Sequence, residues 1–173
     1  MNVDTLKKAI RDIPDFPKQG IIFKDITPVL SDPALFKTAV DLFVDRQANA
    51  RIDKVAVIES RGFLFGAAVA YRMGLGIVPI RKKGKLPYKT VEATYDLEYG
   101  SATLQMHVDS VKKGDRILLI DDLLATGGTA AASAKMIEGL GGTVAEIDFL
   151  IELAFLKGRD KLARYPVFAP VVF

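Results

Sequence analysis

The chain of 173 residues contains no cysteine and only one histidine, His107. Because cysteine is absent, disulfide bonds and thiolate metal sites are excluded, and folding does not need an oxidising compartment. His107 lies on the polar side of a predicted strand, so we expect neither a zinc site nor a histidine-based catalytic triad. These absences favour a cytoplasmic location.

Long apolar runs are absent as well. The first residues lack the apolar segment of a signal peptide, and the longest mostly apolar run, residues 62–71, is far shorter than the roughly 20 residues that span a bilayer. The net charge is only +3, which is too small for a nucleic-acid surface unless the basic groups concentrate. We expect a single domain over residues 1–173, with no membrane and no nucleic-acid partner.

The most informative segment is residues 117–129, in which an apolar strand is followed by two carboxylates and a glycine-containing turn that opens a helix. At a helix N-terminus the first backbone N–H groups lack partners and the helix dipole is positive, so this turn can wrap an anion. We call it the anion loop; its residues are Ala125, Thr126, Gly127, Gly128 and Thr129. It is not a P-loop, because no lysine follows Gly128.

The carboxylates, Asp121 and Asp122, form the acid pair. Carboxylates only accept hydrogen bonds and would repel a phosphate, so they need donors or a cation. Ribose hydroxyls or Mg²⁺ would supply these. The order of acid pair and anion loop therefore predicts a site for a sugar phosphate.

Strand and helix patterns alternate along most of the chain. The predicted strands are residues 54–58, 76–80, 116–121 and 143–152, and the predicted helices are residues 4–13 with Asp4 as the cap, 33–43 behind Asp32, 63–73 and 128–140. This alternation predicts an α/β fold: a twisted, mainly parallel sheet with helices on both faces and ligands at the carboxyl ends of the strands.

Two segments differ from this pattern. Residues 81–100, the flap, are basic and polar, and precede Leu104, Met106 and Val108, which alternate with polar residues as in an antiparallel strand. We expect a flexible flap on a hairpin-like stem. Residues 1–30, the hood, are expected to cover the sheet as part of the same domain. Met106, Val108 and residues 171–173 are expected in the core or an interface.

Several blocks of the sequence resemble the type I phosphoribosyltransferases and are most similar to members that use adenine. They are residues 16–17, 20–28, 59–66, 81–87, 97–100, 121–129 and 156–159, in the family's order. The resemblance implies the type I phosphoribosyltransferase fold with a flap and a hood. It also implies a purine salvage enzyme that transfers the 5-phosphoribosyl group of 5-phospho-α-D-ribose 1-diphosphate to adenine, giving AMP and pyrophosphate.

The resemblance also implies residue roles. The acid pair would bind the 2- and 3-hydroxyls, and the anion loop the 5-phosphate. The pyrophosphate would be bound by Ser60, Arg61, Gly62, Arg81, Lys82 and Lys85. The adenine would be bound by Ile22, Phe23 and Lys24. The catalytic residues would be Glu98, Tyr99 and Arg61. Mg²⁺ would arrive with the substrate, without direct protein ligands, and the chain would form a homodimer.

Other interpretations remain open. Taken alone, Arg61 is a surface arginine at a strand end, the flap's basic cluster is a solvated loop, and residues 21–23 are core. The base could be a 6-oxopurine such as hypoxanthine, guanine or xanthine. Finally, related domains act as non-catalytic regulators that sense the same sugar diphosphate, although we expect a regulator to carry an added DNA-binding domain or to lose flap residues.

Overall fold

The computed structural model describes residues 3–96 and 101–173. Within them, the α-helices are α1 (Val3–Ala9), α2 (Thr27–Ser31), α3 (Pro33–Arg46), α4 (Arg61–Met73) and α5 (Gly128–Gly139). Two 3₁₀ helices, Ala154–Leu156 and Gly158–Leu162, follow later in the chain. None of the helices in these two ranges is long and apolar enough to cross a membrane.

The strands form one large sheet and one small hairpin. They are β1 (Arg11–Pro14), β2 (Ile22–Asp25), β3 (Lys54–Ile58), β4 (Gly76–Lys82), β5 (Thr90–Asp96), β6 (Ser101–His107), β7 (Arg116–Leu124), β8 (Thr143–Glu152), β9 (Val167–Phe168) and β10 (Val171–Val172). The large sheet has the order β10-β8-β7-β3-β4-β6-β5, with β9 also pairing with β8. The pairs from β10 to β4 are parallel, and β6 pairs antiparallel with β4 and β5. The prediction of a mainly parallel sheet is confirmed.

Apolar side chains cover both faces of the sheet, as expected for strands buried on two sides. In β7, Ile117 and Leu119 belong to the core shared with α5, whereas Leu118 and Ile120 belong to the core shared with α3 and α4. The hood contributes to the second core, because Leu6, Ile26 and Val29 are buried within it. Helices therefore cover both faces, and the hood packs on the side of α3 and α4.

Several local predictions are confirmed. β3 and β8 have the predicted bounds. Helix α3 begins after Asp32, whose carboxylate accepts hydrogen bonds from the backbone N–H groups of Ala34 and Leu35 at 2.8 and 3.0 Å. Asp32 is thus the predicted N-cap, and Pro33 stands at the first helical position, where its missing N–H costs nothing.

The first predicted helix was wrong at both ends. The described helix begins at Val3, so Asp4 lies in its first turn, where a carboxylate favours the helix dipole, and is not the cap. The helix ends at Ala9, and Ile13 lies in β1, paired with Phe23 of β2. Because Pro14 disfavours helical geometry in the residue before it, the chain becomes extended and forms a hairpin.

Other boundaries moved as well: α3 ends at Arg46 rather than at residue 43, and α5 ends at Gly139 rather than at residue 140. α4 begins at Arg61, two residues earlier than predicted, and β4 continues to Lys82. β7 continues through the acid pair to Leu124, because its pairing with β8 extends to the Leu124 and Glu152 register.

The stem of the flap is the predicted antiparallel hairpin. β5 and β6 pair from Thr90 opposite His107 to Asp96 opposite Ser101, and Leu104 and Met106 are buried. Val108 follows the strand and is exposed, so a core position is wrong, whereas a position in an interface stays a prediction. Residues 97–100 lie outside the described residues.

Candidate functional site

The acid pair and the arginine loop, residues 60–62, lie side by side at the carboxyl ends of β7 and β3. A Cβ atom placed on Gly62 would lie 2.9 Å from Asp121 Oδ1 and 3.0 Å from the carbonyl oxygen of Ile120. Only glycine allows the start of α4 to approach β7 this closely. The predicted association of these two loops at one edge of the sheet is present in the structure.

Asp122 is buried, Asp121 is partly buried, and the pair lies close to a cation. Arg61 Nε lies 2.8 Å from Asp122 Oδ2, and Asp122 is only 5% exposed. The backbone N–H of Asp122 donates to Asp121 Oδ1 at 2.9 Å. Burial and the neighbouring charge of Asp122 raise the pKa of Asp121 well above its ordinary value. Burial also raises the pKa of Asp122, although the Arg61 guanidinium opposes this rise.

This ion pair leaves polar atoms unsatisfied. The approach of Arg61 to Asp122 does not have hydrogen-bond geometry, and within the described residues neither Arg61 Nη1 nor Asp122 Oδ2 has a hydrogen-bond partner. Buried polar atoms without partners are costly. Such atoms at the edge of a cavity favour a ligand that supplies both acceptors for the guanidinium and hydroxyl donors for the carboxylate.

Two adjoining cavities contain these groups. The larger, about 270 Å³, is lined by Ile58, Glu59, Ser60, Arg61, Lys82, Tyr95, Leu104, Asp121, Asp122 and Thr129. The smaller, about 60 Å³, is lined by the anion loop and by Leu123, Leu124, Ala130 and Phe149. Thr129 lines both, so the cavity of the acid pair and that of the anion loop adjoin at this residue.

The anion loop has the geometry of an anion-binding turn. Gly127 has a left-handed φ of 77°, which favours glycine, and α5 starts at the next residue without a side-chain cap. The first N–H groups of α5 are therefore available to a ligand. The sequence-based prediction of this turn agrees with its structure.

The predicted base-binding segment lies beside the arginine loop. The Arg61 guanidinium is 4.9 Å from the centre of the Phe23 ring, and Phe16 contacts the same ring edge-to-face at 5.2 Å. Ile22 is 57% exposed, which argues against the alternative that this segment is core. Lys24 Nζ is instead engaged, at 2.6 Å from Asp12 Oδ1 and 3.8 Å from the centre of the Phe173 ring.

The predicted flap cations have different surroundings. Arg81 donates from Nε to Glu59 Oε2 at 2.8 Å and from Nη1 to the carbonyl oxygen of Lys85 at 3.2 Å. Lys82 lines the larger cavity, whereas Lys85 is exposed and is not among the lining residues. In this conformation Arg81 is therefore bound to Glu59.

Sequence reasoning missed two residues of the site. Glu59 accepts from Arg81 and from the backbone N–H of Lys82 at 3.2 Å, and so joins the arginine loop to the root of the flap. Its position between a buried strand and Ser60 was a signal that could have been used. Tyr95 lines the larger cavity from β5, and an aromatic residue in a polar flap was the corresponding signal.

Two of the predicted catalytic residues are not described by the structure. Glu98 and Tyr99 lie outside the described residues, so their catalytic roles stay predictions. In the ranges 3–96 and 101–173, no group of three or more His, Cys, Asp or Glu residues could hold a metal ion.

Comparisons with known proteins find relatives over most of the chain. Residues 29–165 match the phosphoribosyl transferase domain family. An adenine phosphoribosyltransferase of Geotalea daltonii is 55% identical over 171 residues, covering 99% of this chain and 100% of the relative.

Solved structures show the same relationship. An adenine phosphoribosyltransferase of Thermoanaerobacter pseudethanolicus superposes with a TM-score of 0.97 at 50% identity, covering 99% of this chain and 100% of the other. That of Saccharomyces cerevisiae, solved with D-2,5-dideoxy-2,5-imino-altritol 1,6-bisphosphate and adenine, has a TM-score of 0.93 at 40% identity and covers 98% of both chains.

Proposed function

The chain belongs to the phosphoribosyl transferase family, and we infer that it transfers the 5-phosphoribosyl group of 5-phospho-α-D-ribose 1-diphosphate to adenine. The products are AMP and pyrophosphate, and the reaction salvages a free purine base. The observation that supports this most directly is that the acid pair stands between an uncapped anion loop and an unsatisfied arginine. A ribose with a phosphate at each end fits that order.

The ribose 5-phosphate half binds to the acid pair and the anion loop. The carboxylates of Asp121 and Asp122 accept from the 2- and 3-hydroxyls of the sugar, and Thr129 lies at the junction of the two cavities. The loop amides and the hydroxyls of Thr126 and Thr129 donate to the phosphate oxygens. Burial raises the pKa of both aspartates and so disfavours their charged form. The hydroxyl donors of the sugar would offset this by stabilising the charged carboxylates.

The pyrophosphate binds on the other side of the acid pair. Arg61 Nη1 has no partner within the described residues, and a guanidinium is well suited to phosphate oxygens. The hydroxyl of Ser60 and the backbone at Gly62 lie in the same loop. Lys82 lines the cavity, and Arg81 and Lys85 complete the set when the flap covers the site.

The adenine stacks on Phe23, next to Arg61. Because the Lys24 ammonium is bound by Asp12 and Phe173, its backbone rather than its side chain would read the base, as would the backbone of Ile22. Adenine's amino group requires an acceptor at this position, whereas a 6-oxopurine requires a donor.

Displacement of pyrophosphate from the anomeric carbon passes through an oxocarbenium-like state. The enzyme must hold the sugar, bind the leaving group and exclude water from the cation. Glu98 is proposed to stabilise the cation or to handle a proton of the purine, and Tyr99, the next residue in the sequence, is proposed as a second catalytic residue. Enzymes of this family generally use Mg²⁺ with the sugar diphosphate. When bound, the metal would neutralise leaving-group charge, and its binding through the substrate rather than through protein ligands stays a prediction.

The domain organisation, the oligomeric state and the location in the cell stay predictions. A single domain over residues 1–173 is supported by the hood's share in the second core. A homodimer and a cytoplasmic location are expected from the resemblance and the composition. Light scattering of the purified protein would decide the oligomeric state.

The decisive assay offers adenine, hypoxanthine, guanine and xanthine in parallel with the sugar diphosphate, with and without a chelator of Mg²⁺. We expect turnover of adenine that requires the metal. Asp122→Asn should abolish most of it, while Asp148→Asn, a change at another buried aspartate, should not. Turnover of a 6-oxopurine but not of adenine would refute the base assignment, and no turnover of any base would refute the reaction.

A further inference from the structure

The Leu-Lys-Gly-Arg block at residues 156–159 has no role in the site described above, yet it packs directly against the anion loop. A Cβ atom on Gly127 would lie 2.4 Å from the carbonyl oxygen of Gly158, and one on Gly158 would lie 2.2 Å from the carbonyl oxygen of Ala125. Neither glycine can carry a side chain here. The two backbones are therefore in direct contact, and the position of Gly158 limits the shape of the loop.

Gly158 is held by its neighbour, Arg159. Arg159 Nε donates to both carboxylate oxygens of Glu152 at 2.9 Å, and Nη2 donates to Oε2 at 2.7 Å. Nη1 donates to the carbonyl oxygen of Val167 at 3.0 Å. The carboxylate is almost buried, at 9% side-chain exposure. A guanidinium with this many donors to one carboxylate fixes both distance and orientation.

Glu152 is itself tied to the start of the anion loop. It ends β8 in register with Leu124, the last residue of β7, and the backbone N–H of Leu153 donates to the carbonyl oxygen of Leu124 at 2.9 Å. Arg159 therefore connects the end of β8, which pairs with β7 just before the anion loop, to Gly158, which packs against that loop.

We propose that Arg159 is a positioning residue: through Glu152 and Gly158 it sets the anion loop in the shape that binds the 5-phosphate of the substrate. No side chain caps α5, so the shape of the loop before it depends on the backbone that packs against it. When a second set of interactions already holds the donors of a site in place, ordering these donors on ligand binding costs little free energy. The inference rests on the proposed function, in which the anion loop binds the phosphate.

The test compares Arg159→Met and Arg159→Lys with a matched control, Arg46→Met. Arg46 pairs with Glu146 on the same strand β8, at the same 2.7 Å and with similar exposure, 49% and 10% against 45% and 9%. Calorimetry measures the dissociation constant of ribose 5-phosphate, steady-state kinetics measure KM for both substrates, and thermal unfolding measures stability.

We expect Arg159→Met to weaken the binding of ribose 5-phosphate roughly ten- to hundredfold. KM for the sugar diphosphate should rise by a similar factor, and KM for adenine should not change. Arg159→Lys should resemble it, because an ammonium lacks the planar fork. Arg46→Met should lower stability comparably and leave ribose 5-phosphate binding unchanged. Equal weakening in the control, or unchanged binding in both Arg159 variants, would overturn the positioning role.

A crystal structure of the unaltered protein with AMP separates this inference from the proposed function. If the phosphate lies in the anion loop while the Arg159 variants bind normally, only the positioning role fails. If the phosphate lies elsewhere, the proposed function fails with it. Should Arg159→Met not fold, Glu152→Gln gives the same comparison, because it keeps the shape of the side chain and removes the charge.

Discussion

Replacing Gly62 by alanine tests the packing of the arginine loop against the acid pair. The added methyl group would lie 2.9 Å from Asp121 Oδ1, 3.0 Å from the carbonyl oxygen of Ile120 and 3.1 Å from the Cα of Asp121. The last two contacts are with backbone of a central strand, which cannot move aside as a flexible side chain would. Overpacking of this kind costs about 1–3 kcal/mol of folding free energy.

The same substitution should also lower the rate of the reaction. Relief of the contact must shift either Arg61, which starts α4, or Asp121, and both are proposed substrate ligands. A displacement of about 1 Å at such groups can lower the rate roughly a hundredfold. Urea unfolding measures the first effect, and kcat/KM for the sugar diphosphate measures the second.

Gly66→Ala is the matched control. It lies one turn further along α4, where the added atom would meet Val57 Cγ1 at 2.1 Å, in the core rather than in the site. Both variants should lose stability, but only Gly62→Ala should lose catalytic efficiency at temperatures where both are folded. If Gly62→Ala keeps both its stability and its kinetics, the close contact between the two loops is wrong.

Two further predictions concern the core and the base. Burial and the charge of Glu146 raise the pKa of Asp148 well above its ordinary 3.8. Between the ordinary and the raised pKa the folded state therefore binds more protons than the unfolded state, and the free energy of unfolding falls as the pH rises through this range. Asp148→Asn should flatten this fall in urea titrations at several pH values; an unchanged slope would contradict the assignment. Phe23→Leu should weaken the binding of adenine by about 1–3 kcal/mol because stacking is lost, while the binding of ribose 5-phosphate stays unchanged. Calorimetry with each ligand checks this, and normal adenine binding would exclude Phe23 as the stacking ring.

Much of the fold was predictable because its signals are local. The apolar runs of β3 and β8 end at polar or turn residues, and Asp32 followed by proline marks the start of α3. The first helix was mispredicted because Ile13 continues its helical spacing, while pairing with Phe23 across the hairpin decides its structure. Helical spacing carries no information about such a partner.

For the site, the order of the acid pair and the glycine turn predicted a sugar-phosphate site, and the resemblance implied that the arginine loop binds pyrophosphate; both assignments stay predictions. The sequence did not indicate that Arg81 pairs with Glu59, or that Lys24 is bound by Asp12 and Phe173. These contacts join residues from separate elements, and their distances follow from how the sheet, the hood and the flap pack.

The sequence by itself determined the central parallel strands β3, β4, β7 and β8, the glycine turn at Gly127 and the charges that the site contains, because these depend on neighbouring residues. Only the tertiary structure decided that Gly158 packs behind that turn and that Arg159 holds it there. The physical reason is that close packing between distant segments depends on the relative placement of the whole sheet, which no short stretch of sequence encodes.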